Sequence, residues 1–279
     1  MLVSLFFYFG HIIAILPSSP VFNIQGYSAL KLGEMSSVST SKKVALVTGA
    51  NKGIGLAIAQ SLSSKTHGYH VLLGSRDIEL GNAAALSLQK DGNSVEAIAI
   101  DISSDSSIHA AVDFITSKFG KLDVLINNAG ISSDSDNTLS LRDKFATTYD
   151  VNVFGAAVVT EAVLPLLSKS PSPRIVFVSS NLGSLGLKAR LDSGMSGILL
   201  PIYRSSKAAM NMLMLHYAGL YKAKGWKVNA CHPGYTATDM TGGRGASVGA
   251  GARNAVRLAM LGENGQTGTF SETEGILPW

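Results

Sequence analysis

From Lys43 onward, short runs of consecutive apolar residues alternate with longer segments of helical period, and few folds can be built from that alternation. The runs are Val44–Thr48, His70–Gly74, Val95–Ile100, Leu122–Ile126, Ile175–Val178 and Val228–Cys231, with Thr267–Phe270 as a seventh. Between them, Ile54–Ser64, Glu79–Lys90, Ser106–Lys118, Arg142–Leu167, Tyr203–Lys222 and Gly249–Leu261 carry the helical pattern. A strand with one solvated face alternates apolar with polar residues; these runs do not, so both of their faces are covered. Strands and helices in strict succession predict an α/β fold, a three-layer, doubly wound parallel sheet of about seven strands with helices on both faces.

Composition agrees with one domain over residues 42–279. At 46% hydrophobic and 15% charged residues the chain is too apolar for disorder, and its apolar runs are too short for a bundle of membrane spans. The single cysteine, Cys231, allows neither an internal disulfide nor a Cys-rich zinc site, and no Asn-x-Ser/Thr sequon occurs, which argues for a cytoplasmic protein. None of the 6 histidines forms an i, i+4 ligand pair, so no metal is expected. The net charge of +4 comes from scattered residues and builds no dense basic run, which argues against nucleic acid as a partner; a small anion such as a dinucleotide phosphate suits the excess better. Residues 1–41 form an apolar and Ser-rich extension. Met1–Leu16 falls short of the ~20 residues of a span and lacks a basic n-region. It is read either as a weak membrane anchor or signal, as a loosely packed extension, or as a segment outside a mature chain that starts at Met35.

In a doubly wound sheet ligands bind beyond the carboxyl ends of the strands, so the residues just after each run carry the chemistry. The first run leads into Thr48-Gly49-Ala50-Asn51-Lys52-Gly53-Ile54-Gly55 and at once into a helix. Glycines 49, 53 and 55 permit a tight turn and close approach of a pyrophosphate to the positive end of that helix. After the second run, where a carboxylate would accept from a ribose 2′-hydroxyl, the chain has Gly74-Ser75-Arg76-Asp77. Arg76 with Lys52 offers two cations to a 2′-phosphate, which favours NADP(H), whereas Asp77 would either find the ribose or pair with Arg76. Asp101-Ile102 after the third run suits an adenine edge and face, with a helix cap as the structural alternative for Asp101. Asn127-Asn128-Ala129-Gly130 after the fourth is small enough for close approach to a cofactor, and its amides can tie neighbouring strands. Tyr203 and Lys207, four residues apart, share one helix face, where an ammonium can stabilise a phenolate. Ser179-Ser180 after the fifth run adds a hydroxyl that can hold a carbonyl. Gly242–Gly251 reads as a mobile lid over this edge. Leu185-Gly-Leu-Lys188 and Ser193–Gly197 read as flexible segments lining a substrate mouth, and Tyr235 as a group that stacks on substrate.

Together, Thr48-Gly-x-x-x-Gly-x-Gly55, Asn127-Asn-Ala-Gly130, Asn152, Ser180, Tyr203-x-x-x-Lys207 and Pro233-Gly234 resemble the ordered motifs of the short-chain dehydrogenases/reductases. Asn51–Ile58, Ser75-Arg-Asp77, Pro233–Met240 and Gly265–Trp279 resemble the NADPH-dependent carbonyl reductases among them. The resemblance implies a Rossmann-type domain in which Tyr203 is the general acid of carbonyl reduction and Ser180 polarises the carbonyl. Lys207 would bind the nicotinamide ribose and lower the tyrosine pKa, and Asn152 would hold a water that resupplies the proton. Gly49, Asn51, Lys52, Gly53, Ile54, Gly55, Arg76, Asp101, Ile102, Asn128, Ala129, Gly130, Tyr203, Lys207, Pro233, Gly234, Thr236 and Thr238 would bind the cofactor. The substrate would be a ketone, aldehyde, quinone or dicarbonyl, with an NADP-dependent alcohol or sterol dehydrogenase and a non-catalytic cofactor-binding protein as the alternatives. A homodimer or homotetramer is implied as well, with membrane contact only through the extension. The 23-residue interval from Ser180 to Tyr203 is shorter than in monomeric carbonyl reductases and leaves substrate shape and assembly open.

Overall fold

Residues 42–190 and 197–279 are described by the computed structural model. The extension over residues 1–41 and Ser193–Ser196 lie outside them. Seven parallel strands, β1 (Val44–Val47), β2 (His70–Ser75), β3 (Val95–Ala99), β4 (Val124–Asn127), β5 (Arg174–Val178), β6 (Lys227–Cys231) and β7 (Phe270–Ser271), form one sheet in the order β3-β2-β1-β4-β5-β6-β7. The order reverses between β1 and β4, which opens a crevice at their carboxyl ends. Helices α1 (Gly53–Ser63), α2 (Ile78–Lys90), α3 (Asp105–Phe119), α4 (Leu141–Tyr149), α5 (Ala156–Leu167), α6 (Leu185–Lys188), α7 (Pro201–Tyr221) and α8 (Val248–Ala259) connect the strands.

Two separate cores cover the two sheet faces. Val44 and Leu46 point with Leu72 and Leu125 toward α3, α5 and α7, where Ile108, Ile115, Val159, Val163, Met210 and Met214 pack on them. The alternate residues Ala45 and Val47 point with Val71 and Leu73 toward α1, α2 and α8, against Ile58, Leu62, Leu88, Val256 and Leu258. The strands other than β3 thus bury both sides almost throughout, which is why their sequences do not alternate; β3, at the sheet's edge, leaves Ala99 exposed and Glu96 and Ala97 half-buried. Local signals set the helix starts: Asp77, Ser104, Ser140 and Ser247 accept main-chain N–H bonds at the first turns of α2, α3, α4 and α8.

Four segments depart from expectation. The single helix read over Arg142–Leu167 is divided by a π-helical turn, Asp150–Gly155. Here Asn152 turns inward to bond Ile131, and Gly155 lies so close to β3's end that a Cβ would stand 2.4 Å from the Ile102 carbonyl oxygen. Leu185–Lys188 is one helical turn capped by Ser184 and joined to the chain's end: Ser184 Oγ donates to the Pro278 carbonyl at 2.7 Å and the Gly186 amide donates to that of Trp279. The Gly-rich stretch is loop only as far as Ser247, because Val248–Gly251 is the first turn of α8. Main-chain bonds of 2.8 Å from Ala237 to Ala246 and from Ala246 to Tyr235 fold that loop onto the preceding one. β7 starts at Phe270 rather than Thr267, since Gly268 at φ 71° breaks the extended run.

Gly155→Ala should therefore lower stability by about 1–3 kcal/mol, because the clash is with backbone that cannot rotate away. Urea unfolding of both proteins measures the difference.

Candidate active site

The glycine loop leaves the helix behind it open. Gly49 and Gly53 both sit at φ 60°, a conformation that strains any residue with a Cβ. Unlike the capped helices, α1 has no side-chain cap and no acid in its first turn, so no side chain competes with an anion for its leading N–H groups. Asn51, Lys52 and Ile54 complete the loop, with Lys52 exposed. Gly55 serves packing: a Cβ there would stand 2.4 Å from the Gly49 oxygen and 2.5 Å from Asn128 Nδ2.

Asp77 is occupied as the cap of α2, its Oδ1 accepting from Glu79 and Leu80 at 3.0 and 3.1 Å. It pairs with no cation among the described residues, and Arg76 stays exposed beside it. Asp101 accepts from the Ser103 hydroxyl and amide at 2.7 and 3.0 Å, and these bonds, helped by the nearby Arg76 charge, hold its carboxyl below the usual range. Ile102 is buried against Gly155. Lys52 donates to Asp239 at 2.5 Å, an exposed pair that ties the glycine loop to the segment after β6. In that segment Thr238 faces Gly53, its Cγ2 3.6 Å from where a Cβ would stand. Thr236 is buried, donating to the Pro233 and Gly234 carbonyls at 3.1 and 3.2 Å.

At the crevice floor Asn128 and Ala129 bond to Thr48, whose hydroxyl had no assigned role in the sequence reading. Gly130 follows, and a Cβ on it would lie 3.2 Å from Asn152 Oδ1 and 3.3 Å from Lys207 Nζ. Its missing side chain lets both groups stand close to the main chain here. Asn152 itself is fully engaged: Oδ1 accepts from the Ile131 amide at 2.8 Å, while Nδ2 donates to the Ile131 carbonyl at 2.8 Å and to Ser206 Oγ at 3.0 Å.

Tyr203, Lys207 and Ser180 converge at the end of β5. Lys207 Nζ donates to the Val178 carbonyl at 2.9 Å and lies 5.7 Å from the centre of the Tyr203 ring. Burial lowers its pKa to about 8. Burial pushes the Tyr203 phenol up to about 12, against the Ser180 hydroxyl, which pulls it down. The ammonium lies over the ring face, and in the free chain desolvation of a phenolate outweighs the hydroxyl. Ser179 turns away and donates to the Lys207 carbonyl at 3.5 Å. Next to the site, Cys231 is buried with its thiol raised to about 12, and buried His232 is lowered to about 4 against the opposing pull of Glu274. The residues present thus fit a dinucleotide: an uncapped helix start, a glycine-lined floor, and a lysine ammonium beside Gly130.

The short chain dehydrogenase family model matches residues 43–249. A short-chain dehydrogenase/reductase of Stachybotrys chlorohalonatus is 36% identical over 267 residues, 86% of this chain and 95% of the relative. Carbonyl reductase (NADPH) 1 of Mus musculus is 33% identical over 286 residues, 87% of this chain and 100% of the relative. Among solved structures, NADPH-bound carbonyl reductase from chicken fatty liver superposes with a TM-score of 0.73 at 29% identity, covering 85% of this chain and 99% of that one. The chain belongs to the short-chain dehydrogenase/reductase family, a family of oxidoreductases that bind a nicotinamide cofactor.

His232 yields a pH prediction. Its folded pKa of about 4 lies below the ordinary 6.5, so between those values the unfolded chain binds more protons and stability falls as pH falls. Urea unfolding from pH 7 down to pH 4 should show His232→Gln losing about 2–3 kcal/mol less than the parent.

Proposed function

We propose that the chain reduces a carbonyl compound to an alcohol with NADPH. The observation that carries this is the pairing of the Ser180 and Tyr203 hydroxyls at the end of β5. A carbonyl oxygen between the two hydroxyls would accept a hydrogen bond from Ser180 and take the Tyr203 proton as negative charge develops on it. The reduced nicotinamide supplies the hydride when bound. Lys207, its pKa lowered by burial to about 8 and its Nζ beside Gly130, is placed to restore the proton. Asn152 is committed through its side chain to Ile131 and Ser206, so a relay water would be held by main-chain groups of the π-helical turn. The same groups run in reverse, with the phenolate as base, would serve an alcohol dehydrogenase of this fold. A non-catalytic role fits poorly with four intact positions, Asn152, Ser180, Tyr203 and Lys207.

NADPH is favoured over NADH by Arg76, whose neighbour Asp77 is spent on α2, and by the NADPH bound in the avian relative. Exposed Leu185, Leu199, Tyr235 and Met240, on the segments flanking the catalytic residues, favour an apolar ketone, aldehyde, quinone or dicarbonyl. Exposed Phe154 on the π-helical turn and exposed Met212 and Leu220 on α7 favour a homodimer or homotetramer. The reduced, buried Cys231 is in keeping with a cytoplasmic location.

Oxidation of NADPH and of NADH, followed by absorbance against quinones, dicarbonyls and aromatic ketones, tests the reaction. Tyr203→Phe should bind NADPH as the parent does and lose at least about 100-fold in kcat; retained turnover would remove the phenol from the mechanism. Arg76→Ala should cut the preference for NADPH over NADH by about 10-fold, the loss of one charge-assisted contact. Carbonyl reduction should fall as pH rises through about 8, where Lys207 loses its proton.

A further inference from the structure

The first turn of α7, which carries Tyr203, lacks a cap of its own. Leu200 at the N-cap offers no side-chain acceptor, and Pro201 brings no N–H. The amides of Ile202 and Tyr203 are instead taken by a carboxylate far away in sequence. Asp134 Oδ1 accepts from Ile202 at 3.0 Å, and Oδ2 accepts from Tyr203 at 2.9 Å. An ordinary cap is local, but here the partners lie 68 and 69 positions apart. Asp134 is held in turn: the Ser132 hydroxyl donates to Oδ2 at 3.0 Å, and Lys144 Nζ donates to the Asp134 carbonyl at 3.1 Å.

The loop carrying Asp134 continues from the crevice floor. Ile131 bonds Asn152 through both main-chain groups, and the Ser133 hydroxyl lies 2.6 Å from that of Thr148 and donates to the Lys144 carbonyl at 2.7 Å. One short segment, Ile131–Asp134, is thus sewn to α4 and the π-helical turn on one side and to the start of α7 on the other.

We propose that Asp134 is a positioning residue for the reaction: by holding the Tyr203 amide it fixes where the phenol stands relative to Ser180, Asn152 and the floor at Gly130. A carboxylate also suits this place because it meets the positive end of α7 with two charge-assisted bonds. The proposal rests on Tyr203 as the proton donor. Loss of the tie would let the first turn of α7 move against the floor while leaving the glycine loop and Arg76 untouched.

Two measurements on the full chain test it, with Asp134→Ala and Asp134→Asn. Hydrogen exchange of peptides from the start of α7 should quicken by roughly 10-fold or more in Asp134→Ala, with peptides of α1 and α8 unchanged. In the carbonyl assay kcat should fall by roughly 10- to 100-fold, while KM and the NADPH dissociation constant stay within about 3-fold. Asp134→Asn keeps one oxygen acceptor and should recover part of both. Unchanged exchange overturns the proposal, as does unchanged kcat, and so does a parallel loss of kcat, NADPH affinity and melting temperature. If the parent chain reduces none of the panel, the assigned reaction fails, and the exchange data alone decide whether Asp134 holds the catalytic helix.

Discussion

The ends of β1 and β4 are held together by one hydroxyl and one amide. Thr48 Oγ1 accepts from the main-chain amides of Asn128 and Ala129 at 3.0 and 3.1 Å, and Asn128 Nδ2 donates to the carbonyls of Thr48 and Gly49 at 2.9 and 3.0 Å. These strands flank the point where the sheet order reverses, so their exposed ends would otherwise carry unpaired polar groups into a crevice. Each bond contributes only about 1 kcal/mol, but an unpaired group in its place would cost more. The stitch also dictates the glycines. A Cβ on Gly49 would stand 3.0 Å from Ala129, and one on Gly55 would strike Asn128 Nδ2, so the loop that leaves α1 open to an anion is also the one that lets β4 close against β1.

From that stitch the site is assembled by a continuous polar path. Ala129 leads to Gly130 and Ile131, Ile131 to Asn152, Asn152 to Ser206 Oγ, and Ser206 Oγ donates to the Tyr203 carbonyl at 2.7 Å. The π-helical turn is what brings Asn152 into this path. Inserting a residue into a helix rotates the side chains after it by about 100°, and here it lets Asn152 face the floor while Val159 and Val163 of α5 still face the core. Regularity in that helix gives way to a fixed side chain at the site.

How much of this the chain's residues announce depends on whether the determining interaction is local. The first six strands coincide with the apolar runs to within two residues because a sheet covered on both faces admits few polar side chains, and the glycine, Asn-Asn-Ala-Gly and Tyr-x-x-x-Lys runs stand out because each is one short segment at a strand end or helix start. The π-helical turn was invisible, since Val151–Gly155 continues a helical pattern and only the approach of Ile102 and Ile131 from other elements breaks it. Leu185–Lys188 looked flexible for its glycine and serine neighbours, yet Pro278 and Trp279, more than ninety positions away, fix it. Asp134 sits among Ser and Asp residues that look like any polar loop. Its role follows from a partner on another helix, which periodicity does not encode.

The same distinction governs the electrostatics. Tyr-x-x-x-Lys suggests an ammonium that stabilises a phenolate, but the outcome depends on what else surrounds the pair. Among the described residues no carboxylate pairs with Lys207; its Nζ is held by the Val178 carbonyl and lies 3.7 Å from Met210 Sδ. The acidic group that acts on its charge is Cys231, whose thiol burial pushes up to about 12. An aspartate in that place would compensate the ammonium and raise its pKa well clear of neutrality. A thiol leaves the charge uncompensated, so burial brings Lys207 to about 8, near the pH at which a proton must be both held and released. An unpaired buried ammonium works against stability, and chains keep such a group where its charge is used. Here its Nζ stands beside Gly130 and 5.7 Å from the centre of the Tyr203 ring, whose phenol burial pushes up to about 12. A neutral neighbour for Lys207 and a raised phenol for Tyr203 thus belong to one arrangement, in which burial drives both groups toward their uncharged forms.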